Sequence, residues 1–99
     1  HQGLDISVPL GTEIRAASSG KVTKSGWISG FGKTIVIDHG EGIETLYAHN
    51  SSLLVSVGQK VSTGQIIARA GSTGKSTGSH PHFGVLDNDK PVDPMQYLP

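Results

Sequence analysis

Cysteine is missing from this 99-residue chain, which removes disulfides, thiolate nucleophiles and every cysteine-based metal knuckle at once. Any bound metal would have to rest on histidine and carboxylate. Charge of one sign is missing too: eight Lys and Arg balance eight Asp and Glu. No positive field is left over to gather nucleic acid or an anionic membrane, so no nucleic-acid partner is expected. No run of about eighteen apolar residues exists to span a bilayer, and no basic stretch leads into an apolar one as in a signal peptide. Membrane insertion within this chain is therefore not expected. Aromatics are only 5% and apolar residues only 34%, a lean supply that suits one small core, so residues 1–99 read as a single domain. The chain opens on His1 with no initiator Met and reads as a fragment of a longer precursor.

Glycine is abundant, at 14 residues, and a backbone this rich in glycine must turn often and tightly. Between the turns lie short runs of strand length: Leu4 to Val8, Thr12 to Ala17, Lys21 to Ser25, Thr34 to Asp38, Thr45 to His49, Leu53 to Val57, Gln65 to Ala70 and His82 to Leu86. Most are rich in Ile, Val, Thr or aromatics, which favour a pleated, half-buried surface. The pattern predicts an all-β fold. Only the neighbourhood of Asn50 to Leu54 could host even a turn of helix. A Gly-Gln pair recurs after six residues, at Gly58-Gln59 and Gly64-Gln65, and reads as two extended segments joined by a tight turn.

Five histidines are many for this length: His1, His39, His49, His80 and His82. Residues two apart on an extended backbone share a face, so His80 and His82 can address one point from one strand. His1 and Asp5, four apart, share a face if residues 1 to 5 run extended. A His and an Asp from the start of the chain, with a His from near its end, make an N,N,O set of the kind that holds catalytic zinc. Manganese or cobalt would also fit. Against this stands the ordinary reading, in which a histidine on a β face is a hydrogen-bonded surface or core residue.

Three segments decide between these. His1-Gln2-Gly3-Leu4-Asp5-Ile6, Tyr47-Ala48-His49 and Ser76-Thr77-Gly78-Ser79-His80-Pro81-His82-Phe83 resemble the three ordered motifs of the lysostaphin and LytM family of zinc endopeptidases. Gly11 to Ala17, Gly20-Lys21-Val22, Ile35 to Gly40, Gly58 to Val61 and Val92 to Met95 are similar to the family as well, so the resemblance covers nearly the whole chain. It implies an antiparallel β-sheet forming a narrow groove, barrel-sandwich-like, with Zn2+ on its floor. The ligands implied are His1, Asp5 and His82. His49 and His80 are implied not to ligate but to flank the water on the metal, one as general base and the other stabilising the oxyanion; placement beside a ligand favours His80 as base. The implied substrate is a peptide stem or cross-bridge of bacterial peptidoglycan, and the implied location is extracellular, periplasmic or in the cell envelope. His39, between Asp38 and Gly40, reads as structural.

Three positions depart from the family pattern: Pro81 between the two histidines, Gly84 after Phe83, and Lys33 after the Gly-Phe-Gly turn. Proline donates no backbone hydrogen bond, so this strand must lose a ladder bond or lie at an edge there. Gly71 to Thr77 tempts a phosphate-loop reading, but Arg69 stands where the first glycine belongs and no helix follows, so no nucleotide is expected. The segment reads instead as a loop walling the groove, and Trp27 as a groove-wall tip or a core residue. Two rivals remain. One is a catalytically inactive scaffold of the same fold, which would lack one or more of the five residues. The other is a biotinyl or lipoyl carrier domain, which needs a modifiable lysine in a context absent here.

Overall fold

The computed structural model describes residues 3–5, 8–71, 82–88 and 90–92, with the backbone alone described at 3–5, 82 and 91. Nine strands make up the described chain: β1 (Gly3–Asp5), β2 (Glu13–Arg15), β3 (Gly20–Ile28), β4 (Gly32–Gly40), β5 (Ile43–Leu53), β6 (Lys60–Val61), β7 (Ile66–Ala70), β8 (His82–Asp87) and β9 (Lys90–Val92). Every pairing is antiparallel, in the order β1-β8-β5-β4-β3-β6, with β7 against both β5 and β2, and β9 against β8. There is no helix among the described residues.

Alternation along the two long central strands explains the curl of the sheet. Ile35 and Ile37 of β4 register opposite Tyr47 and Thr45 of β5, and Tyr47 and Thr45 in turn opposite Phe83 and Val85 of β8. With Val22, Val55, Val61 and Ile67, all but Thr45 belong to one buried cluster. Strand β7 continues the sheet from the far end of β5 to β2, and its Ile67 joins the same cluster. Burying a side chain such as Ile35, Ile37 or Ile67, each 0% exposed, contributes roughly 1.5–3 kcal/mol. The β4–β5 turn suits its sequence: Glu41 and Gly42 both have positive φ, at 55° and 83°, as a two-residue hairpin that follows the twist of its strands requires.

Four expectations are corrected. Asn50 to Leu53 is not a helical turn but the end of β5, because its amides continue the ladder to β7. Leu53 to Val57 is not a strand: only Leu53 lies in one, and Val57 is on a turn. Trp27 is neither loop tip nor core; it lies within β3 and is 60% exposed. The Gly-Gln echo is not two strands about one turn but two like turns about one strand. In Ser56-Val57-Gly58-Gln59 and Ser62-Thr63-Gly64-Gln65 the fourth residue donates its N–H to the serine carbonyl, at 3.1 and 3.0 Å. Each glutamine side chain also accepts the serine N–H, and each glycine has positive φ.

Candidate active site

Strand β5 changes partner partway along its length. From Ile43 to Ala48 it is bonded to β8, and from Asn50 to Leu53 to β7. His49 stands at the change. On its other side β5 carries one residue too many: Lys33 registers with Asn50 and Ile35 with Tyr47, so Thr34 faces both Ala48 and His49. Such a bulge re-aims a side chain at the point where it interrupts the ladder.

The backbone of His49 follows suit, with φ at 61°, a left-handed conformation that costs a non-glycine residue on the order of 1–3 kcal/mol unless its surroundings impose it. They do so from two sides. Its N–H donates to the Phe31 carbonyl at 2.8 Å, and its carbonyl accepts the Gly71 N–H at 3.1 Å. Phe31 sits at the tip of the β3–β4 hairpin, and its ring centroid lies 6.4 Å from that of His49. Gly71 is required here, because a Cβ on it would come within 2.5 Å of the Ser51 amide nitrogen. Asn50, 0% exposed, spans the bulge: its side-chain amide donates to the carbonyls of Lys33 at 3.0 Å and Tyr47 at 2.9 Å. Sequence reasoning passed over Asn50, though an asparagine directly after a candidate histidine was a usable signal for irregular backbone.

Beneath this lies a second polar chain. The Ala17 N–H donates to the Tyr47 hydroxyl at 2.9 Å, the hydroxyls of Tyr47 and Thr45 are 2.8 Å apart, and Thr45 Oγ1 is 2.6 Å from His39 Nε2. His39 Nδ1 lies 2.7 Å from the Ser19 carbonyl. A carbonyl only accepts, so Nδ1 carries the hydrogen; in the neutral imidazole Thr45 then donates to Nε2 and Tyr47 donates to Thr45. Burial pushes the Tyr47 phenol above its usual value, against the Ala17 and Thr45 bonds, which lower it. Both nitrogens of His39 are thus engaged within the fold, in keeping with its structural reading.

Of the five site residues expected from sequence, the structure brings together the backbones of two and sets a third beside them. Asp5 of β1 registers directly opposite His82 of β8, and His82 directly opposite Ala48, the neighbour of His49. His1 and His80 lie outside the described residues, as do Pro81 and the 72–80 segment. Among the described residues no group of three or more His, Asp or Glu side chains is placed to hold a metal ion, and the side chains of Asp5 and His82 are not among those described.

The curled antiparallel sheet and the order of the motifs define a class of domain that comparison with known proteins identifies. The model of peptidase family M23 matches residues 1–94, and the chain belongs to that family. It is 42% identical over 95 residues to the DD-carboxypeptidase/endopeptidase Mpg of Neisseria meningitidis, covering 96% of this chain and 22% of that protein. It is 37% identical over 97 residues to the murein hydrolase activator EnvC of Escherichia coli, covering 98% of this chain and 24% of that protein. The chain thus spans about a quarter of the length of these relatives. Among solved structures, the catalytic domain of lysostaphin from Staphylococcus simulans superposes with a TM-score of 0.92 at 39% identity, covering 99% of this chain and 78% of that one. A zinc-containing peptidase from Vibrio cholerae gives 0.93 at 41% identity, covering 100% of this chain and 31% of that one.

Proposed function

We propose that this domain is a zinc-dependent endopeptidase that hydrolyses peptide cross-links of bacterial peptidoglycan in the cell envelope. The observation that carries the reading is the register that sets Asp5 opposite His82 beside the Ala48–His49 bulge. Residues from the two ends and the middle of the chain, which mean nothing to one another in sequence, converge on one place in the sheet. A carboxylate and an imidazole at opposed positions on adjacent strands, with no thiolate in the chain, suit zinc by donor chemistry, and His1, Asp5 and His82 would hold it. When bound, the ion supplies a Lewis acid for the scissile carbonyl and acidifies water.

This chain's own residues supply the rest. His80 takes the proton of the attacking water as general base, and His49, once protonated, donates a hydrogen bond to the oxyanion that develops on the scissile carbonyl. The bulge and the Phe31 and Gly71 bonds fix the backbone of His49, which supports such a role. A narrow groove would admit thin, glycine-rich or D-amino-acid-containing chains.

A second reading is favoured by the name of one relative, an activator of murein hydrolases: a domain of this fold that binds and regulates without cutting. All five motif residues are present in this sequence, which supports catalysis. Family membership leaves the carrier reading without support. Metal analysis with turbidity clearing of cell-wall suspensions tests the proposal, run beside a chelator and His82→Ala. Wild type should carry about one zinc per chain and clear walls, and both should fail together in His82→Ala and in chelator. Zinc and lysis retained in His82→Ala would sink the ligand assignment; zinc bound without clearing of any wall type would favour the activator reading.

A further inference from the structure

Tyr47 stands where the site's strands meet. It is two residues from His49 along β5, and directly opposite Phe83, the neighbour of His82, across the β5–β8 ladder. The Tyr47 and Phe83 rings pack with centroids 5.4 Å apart, so one side chain touches β8 and belongs to β5. A phenylalanine would fill this core position equally well. A hydroxyl on a residue only 4% exposed is unfavourable unless bonded, and this one is bonded at the head of a chain: to the Ala17 amide, to Thr45, through Thr45 to His39, and through His39 to the Ser19 carbonyl. The chain ties the β5–β8 pair to the segment between β2 and β3, which no ladder bond between those elements does.

We propose that Tyr47 is a positioning residue for the site, its hydroxyl bonded to Ala17 and through Thr45 to His39, so that the part of β5 leading into His49, and the Phe83 ring beside His82 that packs on Tyr47, are held against the segment between β2 and β3. The inference rests on the peptidase reading above. His39 is the outer anchor of the same device, and its effect on the reaction passes through the Tyr47 hydroxyl.

The test uses Tyr47→Phe, which keeps the ring and removes only the oxygen, with His39→Ala and the double variant, all zinc-loaded. Tyr47→Phe should lower kcat about tenfold with KM within about twofold, as displacement of a reacting group by a fraction of an ångström does. His39→Ala should lower kcat by a smaller factor, about threefold, and add nothing to Tyr47→Phe, because two residues acting through one bond are not additive. Wild-type kcat per folded molecule in Tyr47→Phe, or multiplied effects in the double variant, would overturn the proposal. A readout independent of turnover separates it from the peptidase reading: the NMR signals of the His49 imidazole. Should wild type cut no wall, peptidase activity is refuted, yet a shift of those signals in Tyr47→Phe still supports positioning and unchanged signals overturn it.

Discussion

His39 and His49 lie on neighbouring strands of one hairpin pair, and the fold treats them in opposite ways. The first is held by its ring: both imidazole nitrogens bond to the protein, one to a main-chain carbonyl and one to Thr45. The second is held by its backbone, bent into a left-handed conformation on a bulge and pinned at N–H and carbonyl by Phe31 and Gly71. Fixing a side chain through its polar atoms commits those atoms to structure. Fixing it through its main chain sets the direction in which the side chain leaves the strand, as the role proposed for His49 requires.

Exchanging each histidine for alanine should break this comparison most sharply. His49→Ala should lower lytic kcat about 100-fold or more per folded molecule, the usual range for loss of an acid–base group, while zinc content stays close to wild type. Lysis at near wild-type rate would place His49 outside the chemistry. His39→Ala should do the reverse in proportion: a loss of about 1–3 kcal/mol in denaturant unfolding, from two partners left unbonded, against only the small fall in kcat described above. Gly71→Ala sits between them, since the added methyl would push β7 from the backbone of Ser51. A loss of about 1–3 kcal/mol is expected, as for overpacking a tight site, together with weakened lysis, because the carbonyl of His49 loses its donor.

The smallest effect concerns alkaline pH. Tyr47 keeps its proton in the folded state above the ordinary phenol value of 10.0, while the unfolded chain releases it there. The unfolded state therefore binds fewer protons from about pH 10 upward, and stability falls with rising pH over that window. Unfolding of wild type and Tyr47→Phe measured across this range should show the wild type's advantage shrinking as pH climbs. A constant difference would mean the phenol is not buried as described.

Much of this was legible in the chain. Alternation in Thr34 to Asp38 and Thr45 to His49 announced two central strands, and they form the cores of β4 and β5. The recurrence of Gly-Gln was visible, but its meaning was not. A glycine followed by glutamine fits an extended run as well as a turn, and only the positive φ of Gly58 and Gly64 tells them apart. Strands β6 and β9, of two and three residues, are too short to show a period of two. Trp27 misled because aromatic residues are usually core, whereas it lies near the end of β3 opposite the exposed Lys33 and outside the buried cluster. For the site, the motifs nominate the residues, while the bulge beside His49 could not be foreseen. An extra residue in one strand is a property of pairing with another, and Thr34 facing two neighbours leaves no mark on either segment alone.

The ladder between β1 and β8 has a kinetic side. Asp5 and His82 belong to the described strand pair most distant in sequence, joining nearly the whole length of the chain, whereas β4 and β5 meet across a two-residue turn. Pairings of high sequence separation bear the largest loop-closure entropy before any contact rewards it. The hairpin that carries His49 bears the lower loop-closure cost, so it is expected to form before the strands that carry Asp5 and His82 are brought to it.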